Sequence, residues 1–495
     1  MFVKAVMYVK FGGYKVEFES SGLSREEIRK RRRKKERTQA MLLLAAAILV
    51  VVLLIGGGVF LVMRLVGGNT PETEKAAVDA VTTESVVEDE AESSDADEVA
   101  EQGNTDEEEV PDEVQDEEEV TETEDETEDE SEDESAVSDP SEGDVNAQLA
   151  ALVEEKIGSM TLEQKVAGLF FVTPAQLMGL QSDVTTLGSE FGSKIETYPV
   201  GGIVLDSSNM SEEQDFSVFI SNLKVYMPEG TFIGMEDEGG ENSPFVEGGL
   251  TENIIASPKE IGESLGESGA YSAGISIGSE LRQYSVNVNF APNVDVSLKS
   301  GSVAETTGFG TDINTTAALG KNVINGLSDQ EIFTAVKHFP GYGDVTQDGN
   351  SGQVISQRTK DDLKAEYTPY LEAIEAGADF VMVSHVSLPK LRGDNRPACL
   401  SPEIITDIIR TEWEYDGIVI TDFMNKSCMY QKYTYAEAAV GAIEAGADMI
   451  LSPKNFEKSY NGILDAVNEG TLTEERIDES LRRIYSVKFS TQFEN

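Results

Sequence analysis

The sequence predicts an α/β protein whose folded part is a (β/α)8 TIM-type barrel, and two observations carry this prediction. Between residues 147 and 495, eight short apolar runs alternate with stretches of helical periodicity. Most of the runs lack polar alternation, as expected of parallel strands that are covered on both faces. Eight strand–helix repeats over this length favour a closed barrel, with a doubly wound open sheet as the alternative.

The predicted elements can be placed in order along the chain. The eight predicted strands cover residues 169–172, 202–205, 232–235, 286–290, 335–339, 380–386, 417–421 and 448–451. Helical spacing of apolar residues is found between them, for example over 360–376 and 435–445. Near the start of the chain, VKAVMYVKF and YKVEF are short β-prone segments.

The chain before the barrel predicts a membrane anchor. Residues 1–40 form a basic tail, and no charged residue occurs from Met41 to Met63. A helix of that length would be roughly 35 Å long, enough to cross a bilayer. A cleaved signal peptide fits less well, because the run is long and starts late. We therefore predict a signal anchor over 41–66, and the positive-inside rule places the amino terminus in the cytoplasm and the barrel outside the cell.

Residues 67–146 predict a disordered acidic linker. From 72 to 144 the sequence holds 35 Asp and Glu residues against the single Lys75. Such a composition cannot bury enough apolar surface to fold, and its like charges extend it into a stalk. Subtracting the stalk (−34) and residues 1–71 (+8) from the total of −54 leaves about −28 on the barrel. This charge argues against a nucleic-acid partner.

Polar residues that follow the predicted strands predict a pocket at one end of the barrel. They include Glu236, the segment KHFPGYGDVTQDGN (337–350), His385 and Asp422. Carboxylates in a concave site suggest glycoside hydrolysis, although a strand-end aspartate such as Asp422 serves equally well as a helix cap. No nucleotide-binding glycine motif and no histidine pair at metal-ligand spacing is present, so neither cofactor nor metal is predicted.

The two cysteines of the chain leave an alternative open. Cys399 and Cys428 both follow predicted strands, and an exported location permits a disulfide. One disulfide and two free thiols are equally compatible with the sequence.

Several motifs resemble glycoside hydrolase family 3, and more narrowly its single-barrel β-N-acetylglucosaminidase branch. They are MTLEQKVAGLF, YPVGGIVL, DEGG, NFAPNVDV, KHFPGYGDVTQD, MVSHVSLP, GIVITDFM and AIEAGADMILSP, in the family's order across 150–490. The resemblance implies that Asp422 is the nucleophile. It also implies that Lys337 and His338 hold the sugar.

The sequence also departs from the family's pattern. Where this branch carries an Asp-Ser-His triplet, with the Asp–His pair as acid/base, the chain has Asp348, Gly349 and Asn350. An amide cannot act as an acid near neutral pH. The family's aspartate before Glu-Gly-Gly is Glu236 here, and its second loop histidine is Tyr342. Two arginines of the family fall near Pro244 and at Thr307.

Two functions follow from this comparison. The first is a membrane-anchored, extracellular, retaining exo-β-N-acetylglucosaminidase acting on cell-wall or related glycans, with Asp422 as nucleophile and a substitute acid, Asp348, Asp344 or Tyr342. The sugar would be held by the remaining pocket residues, which are Lys337, His338, Glu236, Tyr342, Asn350 and His385. The second is a catalytically inactive barrel that binds a glycan or a protein at the cell surface. For both histidines, a buried structural role remains open beside a functional one.

Overall fold

The computed structural model describes residues 6–11, 14–19, 142–211, 215–228 and 230–493. The predicted anchor (41–66) and all but the last five residues of the predicted linker (67–146) lie outside the described residues. No helix in the described part of the chain is both long and apolar enough to cross a bilayer. The anchor and the linker therefore stay predictions.

The amino-terminal tail contains an antiparallel hairpin. Strand β1 (Val6–Phe11) pairs with β2 (Tyr14–Glu19) in continuous register, from Val6 opposite Glu19 to Phe11 opposite Tyr14. The described part of the first β-prone segment and all of the second are thereby confirmed as strands.

Eight parallel strands form a barrel, as predicted. In chain order the remaining strands are β3 (Phe170–Val172), β4 (Gly202–Leu205), β5 (Phe232–Met235), β6 (Val288–Asn289), β7 (Phe333–Phe339), β8 (Val354–Ile355), β9 (Phe380–Val383), β10 (Val386–Ser387), β11 (Ile418–Thr421) and β12 (Ile450–Leu451). The barrel order is β3-β4-β5-β6-β7-β9-β11, and β12 pairs with β3. Backbone bonds from Thr421 N–H to Met449 O (3.1 Å) and from Met424 N–H to Leu451 O (2.9 Å) join β11 to the β12 segment. These bonds close the ring, so the open-sheet alternative is wrong.

The packing of the barrel interior explains why β4 begins with a glycine and why β5 contains one. Phe171 stacks on Phe232 at a centroid distance of 6.1 Å and meets Phe290 edge-on at 5.1 Å. A Cβ atom at Gly202 would lie 2.6 Å from the Phe171 ring, and one at Gly234 would lie 2.8 Å from Phe290. Only glycine leaves room for this aromatic layer.

The helices surround the barrel. They are α1 (Glu142–Gly158), α2 (Leu162–Ala167), α3 (Pro174–Met178), α4 (Ser189–Thr197), α5 (Phe216–Tyr226), α6 (Pro244–Glu247), α7 (Pro258–Glu260), α8 (Gly266–Gln283), α9 (Ala304–Thr307), α10 (Ile313–Asp329), α11 (Lys360–Ala365), α12 (Thr368–Glu375), α13 (Pro389–Arg392), α14 (Pro402–Ile404), α15 (Ser427–Tyr430), α16 (Tyr435–Ala445), α17 (Phe456–Asn468) and α18 (Glu474–Ser490). Helical turns at Ile261–Leu265 and Ile405–Glu412 continue α7 and α14. Short 3-10 turns occur at Ser207–Asn209, Ala398–Leu400 and Thr491–Phe493.

Two helical predictions can be compared with the structure. The helix predicted over 435–445 is confirmed as α16, which ends at Gly446 in the left-handed conformation (φ 109°). The helix predicted over 360–376 is two helices, α11 and α12, because Pro369 lies in the first turn of α12 and cannot continue a preceding helix.

The folded unit begins slightly earlier than residue 147. Helix α1 starts at Glu142, and Val145 in its first turn is buried. Arg482 of α18 holds Glu154 of α1 in an ion pair of 2.7 Å. The helix therefore belongs to the barrel unit and extends into the segment predicted as linker.

Candidate active site

The predicted site residues lie at the carboxyl end of the barrel. Glu236 directly follows β5, Lys337 and His338 are in β7, His385 follows β9, and Asp422 follows β11. The loop after β7 is fixed there by a small second sheet, in which β8 pairs with β10 in parallel. This end is where the catalytic groups of such barrels are found.

Asp422 is the centre of a buried polar cluster. It is 1% exposed, and its Oδ2 accepts hydrogen bonds from the Tyr342 hydroxyl (3.0 Å) and the Lys426 ammonium (2.8 Å). Its Oδ1 accepts a bond from the Phe423 N–H at 2.7 Å. Burial alone would raise the pKa of Asp422, but the Lys426 charge and its hydrogen bond hold that pKa well below its ordinary value. Asp422 is therefore ionised at neutral pH.

Tyr342 acts as a hydrogen-bond donor within this cluster. Its ring is 2% exposed, and burial followed by the neighbouring Asp422 charge raises the pKa of its hydroxyl well above the ordinary value. A phenol in that state keeps its proton and gives it only as a hydrogen bond. The structure therefore does not favour Tyr342 as a substitute acid.

His385 is a neutral, buried neighbour of the nucleophile candidate. Its Nε2 lies 3.0 Å from the Phe423 carbonyl and 4.0 Å from Asp422 Oδ2. Its Nδ1 lies 3.2 Å from the Cys399 sulfur. Burial lowers the pKa of His385 more than Asp422 raises it. Because the carbonyl requires a donor, we assign the proton to Nε2, which leaves Nδ1 to accept from the Cys399 thiol.

The two cysteines are free thiols. Both Cys399 and Cys428 are buried, and no disulfide joins them. Of the two alternatives left open by the sequence, the structure has the pair of thiols.

Lys337 occupies the base of the pocket between two carboxylates. Its side chain is 1% exposed and forms ion pairs with Glu236 and with Glu238, the latter at 3.0 Å. Burial would lower the pKa of Lys337, yet the two glutamates raise it above its ordinary value. Burial likewise opposes ionisation of Glu236, but Lys337 keeps the pKa of Glu236 low. The lysine is thus a fixed cation, and Glu236 is a fixed anion.

His338 is oriented by a buried aspartate. Its Nδ1 lies 3.0 Å from Asp295 Oδ2, and its backbone N–H donates to Asp295 Oδ1 at 3.1 Å. The Tyr370 hydroxyl donates to the same Oδ1 at 3.0 Å. Against the effect of burial, these bonds hold the pKa of Asp295 below its ordinary value. The carboxylate therefore fixes the ring of His338, leaving its Nε2 for another partner.

In residues 348–350, which replace the family's acid/base triplet, the two end residues are hydrogen-bonded to each other. The Asn350 side-chain amide donates to Asp348 Oδ2 at 2.6 Å, and its backbone N–H donates to Asp348 Oδ1 at 3.0 Å. The Ser427 hydroxyl donates to the Asn350 carbonyl at 2.7 Å, and the Cys428 N–H donates to the Gly349 carbonyl at 3.0 Å. These two bonds attach the loop to the segment that follows Asp422.

A general acid must be protonated before the reaction, and Asp348 of this loop is not in that state. Partial burial would raise the pKa of Asp348, but the two Asn350 bonds lower it below its ordinary value. The other candidate acid, Asp344, accepts a bond from the Ser356 hydroxyl at 2.7 Å and lies 3.2 Å from Arg358 Nε. Asp348 is therefore a carboxylate at neutral pH, and Asp344 is engaged in holding the loop.

A cavity of about 430 Å³ opens beside this cluster. Its lining includes the ring of Phe423 and the side chain of Pro244, together with five carboxylates: Asp206, Glu236, Glu238, Glu241 and Glu247. Thr307, where the family has an arginine, also lines it and is held by Asn293 at 3.2 Å. Within the described residues, no grouping of three His, Cys, Asp or Glu side chains could hold a metal ion.

Sequence reasoning missed Lys426 and Tyr370. Lys426 stands four residues after Asp422, the spacing of a helical ion pair, and that spacing could have identified it. Tyr370 lies on α12, far in sequence from Asp295, and no local pattern links the two.

Comparisons with known proteins agree with this geometry. The profile "Glycosyl hydrolase family 3 N terminal domain" matches residues 152–487. Beta-hexosaminidase A of Pseudoalteromonas piscicida is 26% identical over 335 residues, which cover 62% of this chain and 56% of that protein. A beta-hexosaminidase of Methylococcus capsulatus is 27% identical over 272 residues, covering 55% of this chain and 80% of that protein.

A solved structure gives the same result. The family 3 beta-N-acetylglucosaminidase of a Paenibacillus species superposes with a TM-score of 0.61 at 29% identity, covering 68% of this chain and 63% of that one. The chain spans little more than half the length of the Pseudoalteromonas relative.

Proposed function

Because the chain belongs to glycoside hydrolase family 3, we propose that it hydrolyses β-N-acetylglucosaminides and related glycans by a retaining mechanism, with Asp422 as the nucleophile. The observation that carries this proposal is the state of Asp422. It is a buried carboxylate held ionised at the barrel mouth, and its neighbour Phe423 lines a cavity of the size that small ligands occupy.

In the first step, the Asp422 carboxylate attacks the anomeric carbon, and the bond from that carbon to the leaving oxygen breaks. A glycosyl ester forms on Asp422, and the leaving oxygen must gain a proton. Asn350 has no proton to give near neutral pH, so this step depends on the acidity of the leaving group. Lys337 and His338 hold the sugar: Lys337 Nζ can donate to a hydroxyl, and Nε2 of His338, whose Nδ1–H donates to Asp295, can accept from one.

In the second step, Asp348 acts as general base. Because its pKa is lowered, it is in the form that accepts a proton rather than the form that gives one. It removes a proton from water, the water oxygen bonds to the anomeric carbon, and Asp422 leaves with both bonding electrons. The sugar is released with its original anomeric configuration.

An inactive, glycan-binding barrel is the second candidate, and two observations favour it. Asn350 replaces the acid, and Lys426 pairs with Asp422 at 2.8 Å, a contact that withdraws charge from a nucleophile. Loss of general acid catalysis lowers rates by roughly 10²–10⁴-fold. Natural glycans, whose leaving groups are poor, would suffer most.

The location of the enzyme is part of the proposal. Residues 41–66 anchor the chain in the cell membrane as a single span, and the barrel acts outside the cell on wall glycans. The uncharged run from Met41 to Met63, preceded by the basic tail, supports this orientation. Protease treatment of intact cells should release the barrel, whereas protection of the barrel would refute the orientation.

A pre-steady-state experiment tests the activity. A dinitrophenyl N-acetyl-β-glucosaminide, whose leaving group needs no proton, should give a burst of about one equivalent of phenol, since the first step outpaces the second. The burst should vanish in Asp422→Asn and persist in Asp407→Asn, a matched exposed control on the Ile405–Glu412 turn. If no aryl glycoside gives an Asp422-dependent burst, and Asn350→His restores no turnover, the inactive barrel is the function.

A further inference from the structure

The cavity beside Asp422 has one sign of charge. Its lining carries five carboxylates and, among the described residues, no lysine, arginine or histidine. Lys337 lies beneath it and is shared by Glu236 and Glu238, so one ammonium faces two carboxylates. Burial raises the pKa of Glu238, so the excess negative charge of the cavity comes from its other carboxylates rather than from its base.

The other three carboxylates of the cavity are not neutralised by ion pairs. Within the described residues, Asp206, Glu241 and Glu247 have no salt-bridge partner, and all three are exposed to solvent at the cavity wall. Asp206 accepts the Ser208 backbone N–H (2.9 Å), and Glu247 accepts the Ser207 hydroxyl (3.0 Å). These bonds orient two of the carboxylates without removing their charge.

A concave surface of one charge sign concentrates its field inside the cleft. An anionic sugar would be repelled from this cavity, and a neutral acetamide can offer the carboxylates one N–H hydrogen bond but no charge attraction. A sugar that carries an ammonium group gains an attraction to several of them at once. The ring of Phe423 and the side chain of Pro244 offer apolar surface against which the face of a sugar ring can pack.

We propose that the cavity lined by Asp206, Glu241 and Glu247 selects a cationic amino sugar, a β-glucosaminide with a free ammonium group, over its N-acetylated counterpart. The proposal does not rest on the acidic residues alone, because the cavity adjoins the nucleophile independently of their charge. Its catalytic part rests on the proposed hydrolysis, and it shifts the preferred substrate within that activity from the N-acetylated sugar to related glycans that carry a free amine.

Binding and turnover test the two proposals separately. We would titrate the full chain in detergent micelles with methyl β-glucosaminide and methyl N-acetyl-β-glucosaminide, whose poor leaving groups keep them intact. At pH 6 and low salt, the amino sugar should bind roughly tenfold more tightly, given about two- to fivefold for each of several exposed charge contacts. The preference should disappear at pH 9, since such an amine titrates at roughly pH 8.

Variants identify the carboxylates responsible. The pair Glu241→Gln with Glu247→Gln should lower the affinity for the amino sugar by at least roughly fourfold and so remove most of the tenfold preference. Glu444→Gln, an exposed position on the outer helix α16, is the matched control and should change neither affinity. Equal affinities of the wild type for the two sugars, or a preference that the double substitution leaves undiminished, would overturn the proposal. Saturable calcium binding that depends on the same two glutamates and displaces the amino sugar would also overturn it.

A turnover assay separates this inference from the proposed function. Its substrates are the nitrophenyl glycosides of β-glucosamine and of N-acetyl-β-glucosamine. A preference for the amino sugar in binding, with no turnover of either glycoside, would refute hydrolysis and leave the selectivity standing. Turnover of the N-acetyl glycoside, with no preference in binding, would support hydrolysis and refute the selectivity.

Discussion

Replacing Lys426 by methionine should lower the free energy of unfolding and make the loss depend on pH. The Lys426 ammonium lies 2.8 Å from Asp422 Oδ2, and the two side chains are 16% and 1% exposed. Methionine keeps most of the volume of the lysine side chain and removes its charge. Asp422 would then be a buried carboxylate with two remaining donors, Tyr342 and the Phe423 N–H.

The size of the effect follows from the geometry. An opposite charge at this distance lowers a carboxyl pKa by roughly 1–3 units, and each unit corresponds to about 1.4 kcal/mol. The variant should therefore lose about 1.4–4 kcal/mol at pH 7. This lies at or below the loss of about 3–5 kcal/mol typical of breaking a buried ion pair, because Asp422 keeps two hydrogen bonds.

The pH dependence has a definite sign. The pKa of Asp422 is lower in the folded than in the unfolded protein, so its contribution is complete above the unfolded pKa of about 3.9 and is lost as the pH falls through the folded value. The pKa of Lys426 is raised by Asp422 despite burial, so its contribution lasts until the pH exceeds about 10.4. The difference between the two proteins should be constant from about pH 5 to 9 and shrink below pH 4.

Urea unfolding at pH 7 and at pH 3.5, followed by tryptophan fluorescence of Trp413, measures this difference. Lys432→Met, which removes an exposed lysine that donates to the Asn395 carbonyl and lies over the Tyr433 ring, is the control and should change stability by less than about 0.5 kcal/mol. A Lys426→Met loss below about 0.5 kcal/mol at pH 7, or one that is as large at pH 3.5, would refute the reasoning.

Three further outcomes are expected. Asn350→His should place an imidazole within reach of Asp348 and raise kcat/KM on alkyl glycosides by roughly 10²–10⁴-fold, with little change on dinitrophenyl glycosides; equal effects on both would contradict an acid role. A fragment that starts at residue 140 should be soluble and cooperative in thermal unfolding, whereas one that starts at 147 should melt lower, because it lacks the first turn of α1 and buried Val145. Burial lowers the pKa of Lys488 to about 7, so wild-type stability should rise from pH 7 to about pH 10, and a Lys488→Met variant that keeps this slope would contradict the assignment.

The barrel was predictable because its strands are apolar on both faces. Residues 202–205 and 232–235 match β4 and β5 residue for residue, since burial on both sides leaves an uninterrupted apolar run. Strand β6 is shorter than predicted at both ends, and at its carboxyl end the apolar run leads into Pro292, which has no N–H for a ladder. The break between α11 and α12 carried its own signal, Pro369.

The site was predictable in its positions and less so in its charges. Polar residues at strand ends located Lys337, His385 and Asp422, because parallel strands deliver their carboxyl ends to one mouth. Lys426 is four residues from Asp422, and that spacing was visible in the sequence. Glu238, which follows β5, meets Lys337 of β7 across the barrel mouth, and no spacing in the sequence encodes such a contact.

The backbone bond from Cys428 to Gly349 has a practical consequence. Hydrogen exchange of the Cys428 amide can proceed only when this bond opens, so its rate reports how often the loop at Gly349 separates from the segment that follows Asp422. A ligand that settles beneath that loop and holds it down should slow deuterium uptake at this single position. Mass spectrometry of one peptide spanning 424–430 would then report occupancy of the barrel mouth without any turnover.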